Sequence, residues 1–127
     1  MDGAKRVILC VDDDPEILEV LRMVLEKAGF AVDTAASKEE GLAAFGRRRP
    51  DAMVVDLMME DVDAGIGLLQ AVRALGPVPP TYLLSSAGDA LADNIDRSEV
   101  GVVDILQKPV NHADIVRLLN SQLKPAT

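Results

Sequence analysis

The sequence has no tryptophan, one tyrosine, two phenylalanines, one histidine and one cysteine among its 127 residues. A lone Cys10 excludes a disulfide within the chain, and its place inside an apolar run reads as a small buried core residue in a reducing compartment. With Tyr82 the only tyrosine and no tryptophan, the chain lacks the ring partners of a flavin carrier. No apolar run approaches the ~18 residues of a membrane helix. MDGAKR is followed by only a short apolar stretch before acids begin, which is not the pattern of a signal peptide. The expectation is a cytoplasmic protein without membrane contact. Positive charge is scarce as well: 13 basic against 21 acidic side chains give a net charge of -8, which disfavours direct nucleic-acid binding and favours cations. The one basic run, Arg47-Arg48-Arg49, follows an amphipathic segment and reads as solvated residues complementing a helix C-terminus.

What is present is a recurring unit. Val7 to Val11 (VILCV) is continuously apolar, the pattern of a strand covered on both faces. Asp14 and Pro15 then form an N-cap and a first helical position, and apolar residues at Ile17, Leu18, Leu21, Val24 and Leu25 keep helical spacing until Gly29. Phe30 to Ala35 reads as a second strand, followed by a helix opened by the capping box Ser37/Glu40 and running to about Phe45. Ala52 to Val55, ending on Asp56, is a third strand, with a helix from about Ile66 to Leu75. The breakers Gly76 to Pro80 precede a fourth strand, Thr81 to Leu84, ending on Ser85-Ser86, and a weaker helix at about Ala90 to Arg97. Val102 to Leu106 and a helix opened by Asn111 and Asp114 complete the series, leaving a tail from Lys124. Five strands alternating with five helices, each strand too apolar to be half exposed, predict one parallel sheet with helices on both faces in a single domain, residues 1–127 with a core at about 5–123.

Open parallel sheets bind ligands beyond the carboxyl ends of their strands. There this chain places Asp12, Asp13 and Asp14, then Asp56, then Ser85 and Ser86, then Lys108. Two carboxylates ~5 Å apart cost each other roughly 3 kcal/mol at an effective dielectric of ~20, so clustered acids need an offset. A hard divalent cation supplies it, since magnesium takes oxygen ligands and one or two carboxylates commonly suffice. Magnesium readily takes a phosphate oxygen too, which suggests phosphoryl chemistry with Asp56 as the nucleophile. Each acid alone would read as a cap or a solvated loop residue; the set of complementary groups on four strand ends is the stronger signal.

The stretches VILCVDDDP, VVDLMM, the apolar run into LLSSAGD, and GVVDILQKPV together resemble the receiver domain of two-component response regulators, over essentially the whole chain. The resemblance implies a flavodoxin-like (βα)5 doubly wound sheet of order 2-1-3-4-5. It implies Asp56 as phosphoacceptor from the phosphohistidine of a sensor histidine kinase or phosphotransfer protein. It further implies Asp13 as direct Mg2+ ligand, Asp12 acting mostly through water, and Asp56 and the Met58 backbone carbonyl as further ligands, with Mn2+ as the substitute ion. Ser85, rather than Ser86, matches the switch hydroxyl. Lys108 matches the phosphate-binding lysine, with a cis bond to Pro109. The domain would catalyse its own phosphorylation without being an enzyme in the ordinary sense, would act as a monomer or weak dimer, and would pass its signal to a downstream protein target or fused output domain that the sequence does not identify.

Three departures stand out. Glu60 and Ala64 occupy positions where the family usually has proline and glycine, so the loop Glu60 to Gly67 looks longer and more acidic. Ile105 stands where the family has its aromatic switch residue, which implies an altered output surface or a weaker switch. Met58 and Ala87, at the positions that tune phosphate loss, cannot orient an attacking water, which implies slow self-dephosphorylation. The alternative is a pseudo-receiver, an interaction module not regulated by phosphorylation. A phosphatase of the haloacid dehalogenase type would need a second acid two residues after its nucleophile, and Asp56-Leu57-Met58 lacks it. His112 reads as a surface residue rather than a phosphodonor.

Overall fold

The structure is a computed structural model that describes residues 5–57, 64–85 and 102–123. Its strands are β1 (Val7–Val11), β2 (Ala31–Ala35), β3 (Ala52–Asp56), β4 (Thr81–Ser85) and β5 (Val102–Gln107). Its helices among the described residues are α1 (Pro15–Lys27), α2 (Lys38–Arg47), α3 (Ala64–Leu75) and α4 (His112–Gln122). All strand pairings are parallel and the order is β2-β1-β3-β4-β5, the flavodoxin-like order expected. The helix expected near Ala90–Arg97, and the positions Met58, Glu60, Ser86, Ala87 and Lys124, lie outside the described residues.

The caps explain where the helices begin. Asp14 accepts from the Glu16 N–H, Ser37 from the Glu40 N–H and Asn111 from the Asp114 N–H, each satisfying a donor that the first turn leaves without a helical partner. The Glu40 carboxylate accepts from the Ala36 N–H, 3.2 Å away, one residue before the cap, instead of from the Ser37 N–H that a reciprocal capping box would use. After α1 the chain turns at Gly29, whose φ of 101° suits glycine. The third helix begins at Ala64 rather than Ile66, because small residues leave no trace in apolar periodicity.

Alternation along the strands divides the core in two. Leu9, Val11, Met53, Val55 and Leu83 point toward α2 and α3, where Phe45, Leu68, Leu69 and Val72 meet them. Ile8, Cys10, Ala52, Val54, Tyr82 and Leu84 point the other way, against Leu21 and Leu25 of α1 and Ile115 and Leu119 of α4. Each large aliphatic side chain so buried contributes about 1.5–3 kcal/mol. The Tyr82 hydroxyl, inside the second core, donates to the Leu118 carbonyl 3.2 Å away and so ties β4 to α4.

Two expectations are corrected. The central strands β1, β3 and β4 are almost wholly buried, but β2 and β5 are partly exposed, because each lies at an edge with one strand neighbour only. In β5 the register slips between Val102 and Asp104, and Val103, the extra residue of this irregularity, is exposed. The basic run is also more than solvated charge. Arg48 forms a two-pronged pair with Asp33 at 2.8 and 3.0 Å, while Arg49 stacks over Phe45 and donates to the Pro77 carbonyl. Two of the three arginines therefore tie the end of α2 to β2 and to the segment before β4.

Candidate functional site

The chain passes from β1 outward to β2, then crosses back over β1 to β3, so the strand order reverses between β1 and β3. Beyond the carboxyl ends of strands at such a point, diverging connections leave a crevice. Asp12 directly follows β1 and Asp56 ends β3, and both are buried at 0% and 4% exposure. The Asp12 backbone N–H donates to the Ala35 carbonyl, continuing the β1–β2 ladder for one residue, and its carboxylate Oδ1 accepts from the Asp14 N–H at 2.9 Å. The same Asp14 that caps α1 thus orients Asp12. Beside it, the Leu57 N–H donates to the Leu84 carbonyl at 2.8 Å and holds the end of β3 against β4.

Lys108 enters from the far side of the sheet. Its backbone N–H donates to the Ser85 carbonyl at 2.7 Å, extending the β4–β5 pairing past Gln107, and its bond to Pro109 is cis. The Nζ lies 3.0 Å from Asp12 Oδ2 and 3.3 Å from Asp56 Oδ2. The contact to Asp12 Oδ2 is a close ion pair rather than a well-directed hydrogen bond. Burial pulls the ammonium toward its neutral form, but Asp12 first and Asp56 second more than offset this, and the Lys108 pKa is raised above its ordinary 10.5.

Asp13 is exposed, yet one carboxylate oxygen each from Asp12, Asp13 and Asp56 lie within 4.8 Å of one another. The donor set is oxygen only, with no thiolate or imidazole, and three carboxylates against one ammonium leave two negative charges. That chemistry fits a hard divalent cation. Ser85 ends β4 and is buried at 7% exposure, on the same sheet edge. So Asp12, Asp13, Asp56 and Lys108 come together as expected, and Ser85 stands at the end of the neighbouring strand; the Met58 carbonyl lies outside the described residues.

Sequence reasoning missed a cavity of about 460 Å3 beside the site, lined by Glu16, Ile17, Val20, Leu21, Leu84 and Lys108 among others. No local signal announces it, since its walls come from α1, β4 and the segment after β5. His112, exposed as expected, stands on its wall.

A model of the response regulator receiver domain matches residues 8–120. The chain belongs to this family. Among curated relatives it is 34% identical over 123 residues to the probable transcriptional regulatory protein TcrX of Mycobacterium tuberculosis, covering 97% of this chain and 52% of the relative. It is 32% identical over 123 residues to the transcriptional regulatory protein GlrR of Escherichia coli, covering 94% and 27% respectively. This receiver therefore spans about half the length, or less, of the curated relatives named here. Among solved structures, the chemotaxis protein CheY4 of Vibrio cholerae superposes with a TM-score of 0.83 at 28% identity, covering 94% of this chain and 100% of that one. A receiver domain protein of Clostridium thermocellum superposes with a TM-score of 0.81 at 29% identity, covering 92% and 93%.

Proposed function

We propose that this receiver takes a phosphoryl group onto Asp56 from the phosphohistidine of a sensor histidine kinase or phosphotransfer protein, with Mg2+ held by Asp12, Asp13, Asp56 and the Met58 carbonyl. The observation that carries the reading is Asp56 itself: a buried strand-end carboxylate facing an ammonium at 3.3 Å, within a cluster of three acids. A carboxylate so placed is a competent nucleophile whose attacking oxygen is positioned by the end of β3. Lys108 binds a non-bridging oxygen of the transferring group, exchanging part of its pairing with Asp12 and Asp56 for the new anion. The Ser85 hydroxyl donates to another. When bound, Mg2+ neutralises charge that builds on the phosphoryl oxygens. The residues Asp12 and Asp13 then act as its anchors, and Asp14 keeps Asp12 in place through its backbone N–H.

The consequence is a shift between two populations of the loops after β3 and β4. Ile105, partly buried against the α2–α3 core, has no ring to rotate, so the output surface of this receiver works without an aromatic switch. The relatives named as transcriptional regulators suggest a transcriptional output when the receiver is joined to a suitable partner domain. Incubation with acetyl phosphate and Mg2+, read by intact mass, tests the proposal. A covalent adduct is expected on the wild type and not on Asp56→Asn. No adduct on either would point to the pseudo-receiver instead, and an adduct on both would move the acceptor elsewhere.

A further inference from the structure

Among the described residues, only four large apolar side chains are exposed, and two of them, Val20 at 38% and Met23 at 62%, lie side by side on α1. Scattered single exposures carry no message, whereas a run of them on one face does. Here the run is ordered. Glu16, Val20, Met23 and Lys27 follow one another at spacings of four, three and four residues, all exposed, and at about 100° per residue they form one narrow stripe along the helix. The stripe begins with an acid, is apolar in the middle and ends with a base.

A stripe with that order complements itself when turned end over end. Placed antiparallel on a second copy about a two-fold axis midway between Val20 and Met23, it sets each Val20 against Met23 of the other copy. The same operation sets each Glu16 against Lys27 of the other copy, twice over. We infer that the α1 face is an isologous contact surface for a second copy of this chain, with Val20 and Met23 at its centre and two Glu16–Lys27 pairs at its ends. Val20 also lines the cavity beside α1, so the unbranched, flexible Met23 of the second copy has an apolar recess to enter. Glu19 and Glu26 run along one flank, where the same operation sets Glu19 against Glu26 of the other copy, a like-charge contact partly offset by Arg22, which is already paired with Glu26 of its own copy at 3.3 Å. With so few side chains from each copy, the contact falls short of the roughly 1,200 Å2 of a stable complex, so the dimer is weak and concentration-dependent.

Charge exchange tests this on the full chain. Lys27→Glu alone puts acid against acid at both ends, and Glu16→Lys alone puts base against base. A one-to-one mixture of the two variants restores both opposite-charge pairs in a mixed dimer. Sedimentation equilibrium up to about 1 mM should show association of the wild type, a loss of roughly tenfold or more in each single variant, and recovery in the mixture. A wild type that stays monomeric throughout, variants that associate as the wild type does, or a mixture no better than its components would each overturn the inference. Asp56→Asn should associate like the wild type, so this surface stands or falls independently of phosphotransfer.

Discussion

Substituting Asp13 by asparagine should stabilise the metal-free protein, although it removes a charged residue from the functional pocket. Asp13 takes part in two of the three close carboxylate contacts, each within 4.8 Å. At that distance two unit charges repel by about 1 kcal/mol at the dielectric of water and by about 3.5 kcal/mol at an effective value of ~20. Asp13 is exposed, so the lower figure applies, or about 2 kcal/mol for both contacts together. Against this stands the attraction of the positive end of α1, which begins two residues later, at about 0.3–1 kcal/mol. The net gain is about 1 kcal/mol, or a rise in Tm of roughly 3–5 °C for a domain of this size. Thermal unfolding at low ionic strength in EDTA reads the effect directly. Adding Mg2+ should then reverse the order, because a ligand at a hundred times its Kd stabilises by about 2.7 kcal/mol and the variant lacks one of the carboxylates proposed to hold it. If the variant melts below the wild type in EDTA, or if both gain equally from Mg2+, the three carboxylates do not act as one electrostatic cluster.

Lys108→Met should have the opposite effect, destabilising the metal-free domain by about 3 kcal/mol in urea titrations, because Asp12 and Asp56 are left buried without their cation. Since the folded-state pKa of Lys108 is raised, the pair's contribution is complete below 10.5 and fades as pH rises through the higher folded value, so the deficit should be the same at roughly pH 7 and pH 9. Gly41→Val should destabilise by about 1–3 kcal/mol, measured the same way, because a Cβ there already stands 3.1 Å from Leu68 and 3.3 Å from Val11, where α2 packs on α3 and the sheet. Burial, opposed by Arg22 and assisted by Asp12, pushes the Cys10 thiol up to about 12, so alkylation at about pH 8 should wait for unfolding and be blocked in native protein. Rapid labelling of the folded chain would contradict its burial.

Much of this receiver is legible in its sequence. The continuous apolar run Val7 to Val11, short and rich in β-branched residues, reads as a strand covered on both sides, and the caps Asp14, Ser37 and Asn111 mark helix starts through hydrogen bonds made within three residues. Local chemistry of that kind is written in adjacent letters. It also determined that acids, a hydroxyl and a lysine would stand at strand ends, because alternation of strand and helix allows them nowhere else.

What tertiary structure alone decided involves residues far apart in the chain. The ion pairs of Lys108 with Asp12 and Asp56 join residues 96 and 52 apart in the chain, and their distances depend on how the parallel strands align. The partial exposure of β2 and β5 follows from edge position, which a strand's own composition does not reveal. The roles of Arg48 and Arg49 turn on where Asp33 and Pro77 arrive in space. The cavity beside α1 exists only because α1, β4 and the segment after Lys108 meet there. Hydrogen bonds within a turn are short-range and recur wherever the same residues do, whereas pockets and long-range charge pairs are properties of packing, and packing is settled by the whole chain at once.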